Sequence, residues 1–223
     1  MAFEKARGIH TKMLKPIVDR MSNVDPATLT WISVLFAAGC CYLLATASRD
    51  SEGAWKLLGA FALLLIAAEL DALDGAVARA YDKVSKYGDW LDHTIDRLVD
   101  LSLLIAIGIN TAWIDVHWLG WAAATLTLLG SYMGTQAQSV GLNRIYGGFS
   151  RADRMVLTLV ALISVSWQAH AGLTSIQTNE IGEWILLGNS HLNGMTAALA
   201  ISAWGGAYTF LVRFVKTRNG LLS

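Results

Sequence analysis

Seven acidic side chains lie between residues 69 and 96, where only three lysines and arginines accompany them, so this segment has a net charge of minus four. The acids are Glu69, Asp71, Asp74, Asp82, Asp89, Asp92 and Asp96, and the cations are Arg79, Lys83 and Lys86. Charges beside apolar segments that could enter a membrane cost at least about 2.5–3.5 kcal/mol each and need partners. Because local cations are too few, the sequence predicts that bound cations supply them.

The spacing of four of these acids indicates which cation would bind. Asp71 and Asp74 are three residues apart, and Asp92 and Asp96 are four apart, so each pair projects from one face of a helix. The two pairs converge if the helices pack antiparallel across the connection 80–87. Oxygen ligands of this kind suit Mg²⁺ or Mn²⁺ rather than zinc. We therefore expect one or two divalent metal ions here.

Small residues and one arginine accompany the acids. Gly75 and Gly88 remove side chains beside the carboxylates, which lets a backbone or a ligand approach closely. Ala78 is small for the same reason, and Arg79 offers a planar set of donors for phosphate oxygens. This combination predicts a phosphate-bearing substrate next to the metal.

The elements that carry these residues are apolar helices. The 223-residue chain is 54% hydrophobic and 15% charged, against about 45–50% and 25% in soluble domains. A membrane span needs about 20 mostly apolar helical residues. Six segments fit, at 29–47, 55–73, 97–114, 118–139, 154–171 and 194–215. We predict an all-α integral membrane protein with six transmembrane helices.

An N-terminal amphipathic helix at the membrane surface is expected over residues 1–22. Its apolar face would comprise Leu14, Ile17, Val18 and Met21, with Lys12, Lys15 and Arg20 at the lipid headgroups. The alternative is an ordinary helix packed on the domain. No cleavable signal peptide is indicated. No linker divides the chain, so we expect one domain over 1–223, with the six-span core at 29–215.

The positive charges predict the orientation of the spans. Lysine and arginine accumulate in short cytoplasmic connections. Six spans place both termini on one side, and all but Arg49 and Lys56 of the seventeen lysines and arginines lie on that side. The termini and the acidic segment are therefore expected to face the cytoplasm. A net charge of zero gives no indication of a nucleic-acid partner.

The acidic segment resembles the signature of the CDP-alcohol phosphotransferase family. Its eight fixed positions within 26 residues all match, at every spacing, as Asp71-x2-Asp74-Gly75-x2-Ala78-Arg79-x8-Gly88-x3-Asp92-x3-Asp96. The segment from Asp25 to Thr30 (Asp-Pro-Ala-Thr-Leu-Thr) is also similar to the family's Thr-Pro-Asn-x-x-Thr entrance to the first span. With six spans and the leading helix, the resemblance covers most of residues 10–215.

This resemblance implies a function and a set of site residues. It implies that a substituted phosphate of phosphatidyl or archaetidyl type moves from a CDP-linked lipid to a hydroxyl acceptor, with release of CMP, in phospholipid biosynthesis. Asp96 would act as general base, and a homodimer is expected. Two metal ions would be bound by Asp71, Asp74, Asp92 and Asp96, and the CDP moiety by Gly75, Ala78 and Arg79. Ser85 is a further candidate for contact with the nucleotide.

Candidate acceptor residues lie before the fifth span, where Arg144, Arg151 and Arg154 could bind the phosphate of an acceptor such as inositol phosphate or glycerol phosphate. Cytoplasmic charge bias alone would explain the same arginines. Relatives that use inositol phosphate tend to have arginine or lysine within 134–138, and this chain has neither there. The acceptor therefore stays open.

Two other classes of membrane protein are alternatives to this function. Membrane prenyltransferases also bind diphosphates through aspartates and Mg²⁺, but they normally have two distant aspartate motifs and more spans. Ion transporters have intramembrane acids, usually with internal repeats, and no repeat is evident here. The roles of Asp89 and His93 stay open at this level.

Overall fold

A computed structural model describes residues 13–143, 145 and 147–222, and their fold is helical with one small two-stranded sheet. Residues 13–18 form α1. The other helices are α2 (Pro26–Thr46), α3 (Ser51–Ala80), α4 (Lys86–Gly108), α5 (Trp118–Ser139), α6 (Arg151–His170), α7 (Glu180–Ile185) and α8 (Gly194–Leu222). Strands β1 (Ile176–Gln177) and β2 (His191–Leu192) pair antiparallel, with Ile176 opposite Leu192.

Each of the six predicted spans lies largely on one of the long helices. Helix α3 continues seven residues past the predicted span to Ala80, and α4 begins at Lys86, so the acidic segment is helical as predicted. The segment 97–114 is helical only to Gly108. The buried Asn110 ends it by donating to the carbonyls of Leu44 and Ala47. By length and composition, α2 and α8 could each cross a membrane; the count of six spans stays a prediction.

The described residues divide into two compact units, and the first comprises residues 13–38 and Leu63–Val99. Its core is apolar, with Leu14, Val18, Leu29, Leu73 and Val77 all buried. Leu14 and Val18 of α1 thus pack on protein, whereas Ile17 is 45% exposed. The apolar face predicted for this helix is therefore divided, and its buried side favours the packed-helix alternative. Residues 1–12, including Lys12, lie outside the described residues.

The second unit comprises Gly39–Ala62 and Asp100–Ser223. Within it, α5 packs closely on α8: a Cβ added at Gly206 would lie 2.7 Å from the backbone nitrogen of Thr127. The connection before α5 is fastened by two asparagines. Asn189 accepts from the backbone of Asp115 and Val116, and Asn193 donates to the Trp113 carbonyl. These contacts order the connections around α5 and α8.

Candidate metal centre and its surroundings

Three of the four predicted metal ligands come together in the first unit. Asp71 and Asp74 lie on the last three turns of α3, and Asp92 lies on the second turn of α4. One carboxylate oxygen of each lies within 4.8 Å of the others. The helical spacing therefore produced the expected convergence for these residues. Asp96 follows Asp92 by one turn and is half-buried, and it is not in this group of three.

The electrostatics of this cluster favour a cation. Asp74, which follows the apolar stretch 55–73, is 6% exposed, and burial raises the pKa of its carboxyl to about 6. This pKa is the net result of burial, which has the largest effect, of hydrogen bonds from Thr30 and the Gly75 backbone, which lower it, and of the charges of Asp71 and Asp92, which raise it. Carboxylates that crowd one another in this way are typical of sites for hard divalent cations. The donor set consists of oxygens, so the residues fit Mg²⁺ or Mn²⁺.

Gly75 and Arg79 form a second feature of the site. A Cβ added at Gly75 would lie 3.1 Å from Nη1 of Arg79 and 3.5 Å from its Nη2. The guanidinium therefore lies back along α3 beside Gly75, one residue from the buried Asp74. A side chain at position 75 would displace it. Gly75 thus makes room for the arginine, and Ala78 is half-buried on the same turn.

The turn between α3 and α4 shows what Ser85 does in the structure. The Gly88 N–H donates to the Ser85 hydroxyl at 3.0 Å, which makes Ser85 the N-cap of α4. Ser85 is exposed, and its predicted contact with a nucleotide stays a prediction. A glycine at position 88 also suits this cap, because a Cβ there would lie 3.3 Å from the same hydroxyl oxygen.

Lys83, in the turn between α3 and α4, has a structural role. Its Nζ donates to the carbonyls of Ser22 at 2.7 Å and Val24 at 2.8 Å. The Tyr81 hydroxyl donates to the Val18 carbonyl at 3.0 Å. The end of α3 is therefore fastened to the chain that leads into α2.

Thr30 is a residue at the candidate metal site that sequence reasoning did not single out. Its hydroxyl donates to Oδ2 of Asp74 at 2.6 Å, and both side chains are buried. The signal available in the sequence was the segment Asp25–Thr30, whose last residue matches the family's threonine.

His93 lies between two of the acids on α4. Its Nδ1 is 3.7 Å from a carboxylate oxygen of Asp89 and 3.6 Å from one of Asp92, and the side chain is 44% exposed. This places His93 at the border of the metal cluster. Asp89 is the more exposed of the two acids.

The predicted acceptor arginines lie in the second unit. Arg151 and Arg154 begin α6 as expected, behind a capping box formed by Ser150 and Asp153. Nη2 of Arg154 donates to Oδ2 of the buried Asp100 at 2.5 Å, and Nε of Arg151 is 3.7 Å from Oδ1 of the same carboxylate. Arg154 is 7% exposed, so it binds the protein itself. Arg144 lies outside the described residues.

Asp100 and Arg213 were both missed at the sequence level, although each is a charged residue in an apolar helix, which is the signal that could have found them. Arg213 on α8 donates from Nη1 to the Gly130 carbonyl at 2.8 Å. A Cβ at Gly134 would lie 3.0 Å from that nitrogen. A cation from α8 thus lies beside the start of segment 134–138, which has no cation of its own.

A family model described as CDP-alcohol phosphatidyltransferase matches residues 23–189. An archaetidylinositol phosphate synthase from Pyrococcus horikoshii is 40% identical over 144 residues, which are 62% of this chain and 69% of the relative. A phosphatidylinositol phosphate synthase from Cutibacterium acnes is 27% identical over 222 residues, 97% of each chain.

Among solved structures, the fold is similar to the phosphatidylinositol phosphate synthase of Mycobacterium tuberculosis. The form with CDP-DAG bound has a TM-score of 0.70 at 19% identity and covers 92% of this chain and 94% of that one. The form in complex with manganese and citrate has a TM-score of 0.67 at 18% identity, with 91% and 87% covered. The similarity extends over nearly the whole helical fold.

Proposed function

The chain belongs to the CDP-alcohol phosphatidyltransferase family, and on that premise we propose that it transfers a phosphatidyl- or archaetidyl-type phosphate from a CDP-linked lipid to inositol phosphate, releasing CMP. As a family member it is a membrane transferase of phospholipid biosynthesis that uses divalent metal, as the sequence predicts. The acceptor, the lipid type and the roles of single residues are the parts that we propose.

The observation that carries this proposal is the approach of Asp71, Asp74 and Asp92 to within 4.8 Å of one another. These residues, with Asp96, would hold two divalent cations, Mg²⁺ or Mn²⁺. When bound, the metal neutralises the diphosphate of the donor and stabilises the charge that develops on the leaving CMP. The carboxylates are positioned for this by helices on both sides of a short turn.

The chain's own residues have the remaining roles. Arg79, beside Gly75 and close to Ala78, would bind phosphate oxygens of the CDP moiety through its planar donors. The acceptor hydroxyl oxygen forms a bond to the lipid-bearing phosphorus while the bond from that phosphorus to the CMP oxygen breaks. A carboxylate oxygen of Asp96 would take the hydroxyl proton.

Two observations support a phosphorylated acceptor. The relatives from Pyrococcus horikoshii and Cutibacterium acnes are named as synthases of inositol phosphate lipids. Arg213 supplies a cation at Gly130 and Gly134, beside the segment where inositol-phosphate-using relatives tend to have one. Arg151, which is partly exposed at the start of α6, and Arg144 would complete the anion site. Arg154 would support this site indirectly, through its hydrogen bond to Asp100.

We also propose that the chain forms one domain with six spans, that both termini and the carboxylates lie on the cytoplasmic side, and that two copies form a homodimer. The distribution of lysines and arginines supports the orientation, and membership of a membrane-integral family supports the spans.

The test is release of CMP by the purified, detergent-solubilised protein with Mn²⁺. CDP-diacylglycerol and CDP-archaeol are each combined with inositol phosphate, glycerol phosphate or unphosphorylated inositol. We expect CMP release to be fastest with inositol phosphate and to require both donor and acceptor. Faster release with glycerol phosphate or with free inositol would contradict the proposed acceptor.

A further inference from the structure

The hydrogen bond between Thr30 and Asp74 joins two buried side chains that are 44 residues apart in the chain. Thr30 is 4% exposed and Asp74 is 6% exposed. The Thr30 hydroxyl is 2.6 Å from Oδ2 of Asp74 and 3.3 Å from the carbonyl of Pro26 in its own helix. A hydroxyl has one proton to donate, and the shorter contact to the carboxylate takes it.

The position of Thr30 is determined by contacts around it. Leu29, its neighbour, packs with Leu73 and Val77 in the core of the first unit. Lys83 donates to the carbonyls of Ser22 and Val24, just before α2 begins. The start of α2 is thereby held against the end of α3 at a defined register. The hydroxyl is delivered to Asp74 by packing and not by a mobile loop.

The bond restricts the buried carboxylate of Asp74. A hydrogen bond to Oδ2 limits the rotation of the carboxylate and leaves lone pairs of the group directed elsewhere. Asp74 is also the most buried of the three acids that lie within 4.8 Å of one another. Groups that hydrogen-bond a metal ligand orient it, and their removal typically costs about 10- to 100-fold in metal affinity.

We propose that Thr30 is a positioning residue for metal binding, which acts by holding the Asp74 carboxylate in the orientation that the divalent cation requires. This inference rests on the proposed function, since it assumes that Asp74 is a metal ligand. Thr30 acts through Asp74, so its effect on metal binding does not depend on which acceptor the enzyme uses.

The experiment measures Mn²⁺ binding to the full-length protein in detergent, through the electron paramagnetic resonance signal of free Mn²⁺. Thr30→Val removes the hydroxyl at nearly constant volume, and Thr30→Ser keeps it. Thr28→Val is the matched control, because Thr28 is exposed on the same helix. Thr30→Val should raise the Kd for Mn²⁺ about 10- to 100-fold. Thr30→Ser should stay within about threefold of the wild type, because it retains the donor, and Thr28→Val should bind as the wild type does.

Several results would overturn the inference. They are a Kd within about twofold of the wild type for Thr30→Val, or an equal loss in Thr28→Val. If Thr30→Val does not fold, as judged by circular dichroism without metal, Thr30→Ala gives the same comparison. A different result would sink the metal site itself: wild-type protein that binds no Mn²⁺, or Asp74→Asn and Asp92→Asn variants that bind it normally. The two failures are therefore distinguishable.

Discussion

The acidic ends of α3 and α4 and the basic first turn of α6 are both clusters of like charge, but their charged groups have different partners. Carboxylate oxygens of Asp71, Asp74 and Asp92 lie within 4.8 Å of one another. In contrast, Arg151 and Arg154 both approach one buried carboxylate, Asp100. Crowded carboxylates favour a bound cation, whereas arginines on an internal carboxylate help to hold the protein together. The acidic cluster is therefore organised for a ligand, and much of the basic cluster for the fold.

The largest expected effect comes from removing the cation from the acidic cluster. Chelation with EDTA should reduce CMP release to background, and added Mn²⁺ should restore it, because the diphosphate then loses its counter-charge. Asp74→Asn should give the same loss without restoration. Asp82→Asn is the matched control, because Asp82 has a φ of 52°, a conformation that asparagine also tolerates. Normal turnover in Asp74→Asn would mean that the cluster is not the metal site.

Asp96→Asn should separate chemistry from binding in the same region. We expect kcat to fall by about 10²- to 10⁴-fold, the usual contribution of a general base. Mn²⁺ affinity should also fall, but less than in Asp74→Asn, because Asp96 is not in the group within 4.8 Å. Single-turnover kinetics and Mn²⁺ titration measure the two quantities. A loss of Mn²⁺ binding equal to that of Asp74→Asn would show that Asp96 acts mainly as a metal ligand.

Asp100→Asn tests the structural role of the basic cluster. It leaves the buried Arg154 without its charged partner, which should lower the free energy of unfolding by about 3–5 kcal/mol. Thermal unfolding in detergent is the measurement. Asp115→Asn is the control, since Asp115 pairs with His191 at 2.8 Å where both side chains are more than a third exposed. That change should cost less than about 1 kcal/mol, and equal losses would show that the Asp100 pair is not special.

Arg213→Ala and Arg151→Ala test whether these two arginines bind the acceptor. Each should raise KM for inositol phosphate by about 10- to 100-fold, the value of a charge-assisted hydrogen bond. The KM for the CDP-linked donor should be unchanged. Arg218→Ala is the control, because Arg218 is exposed on the same helix as Arg213. An unchanged acceptor KM in both test variants would assign these arginines to the fold alone.

The smallest effect is expected at Ser85. Ser85→Ala should lower stability by about 1 kcal/mol, because it removes the cap of α4. Ser85→Asn, which can also cap a helix, should recover most of it. CDP affinity, measured by calorimetry, should change by less than about threefold if capping is the main role. A larger loss of CDP affinity in both variants would establish the predicted nucleotide contact.

Helical periodicity accounts for much of what the sequence predicted correctly. The six apolar segments each lie largely on a long helix, and Asp71 and Asp74, three residues apart on α3, lie together with Asp92 as expected. The predicted ends of the helices were less accurate. The third segment stops at Gly108 because Asn110 binds the carbonyls of Leu44 and Ala47, more than 60 residues away. The sequence around Asn110 contains nothing that predicts hydrogen bonds to such distant carbonyls.

Patterns that lie within short segments of the sequence therefore determined the helices, the divalent-metal chemistry and the family of this protein. Only the tertiary structure decided that Thr30 binds Asp74, that Lys83 fastens the entry to α2, and that Arg154 rests on Asp100. The physical reason is that a helix sets the direction of each side chain about its own axis. Which polar group it meets depends on how distant helices pack, and that depends on the whole chain.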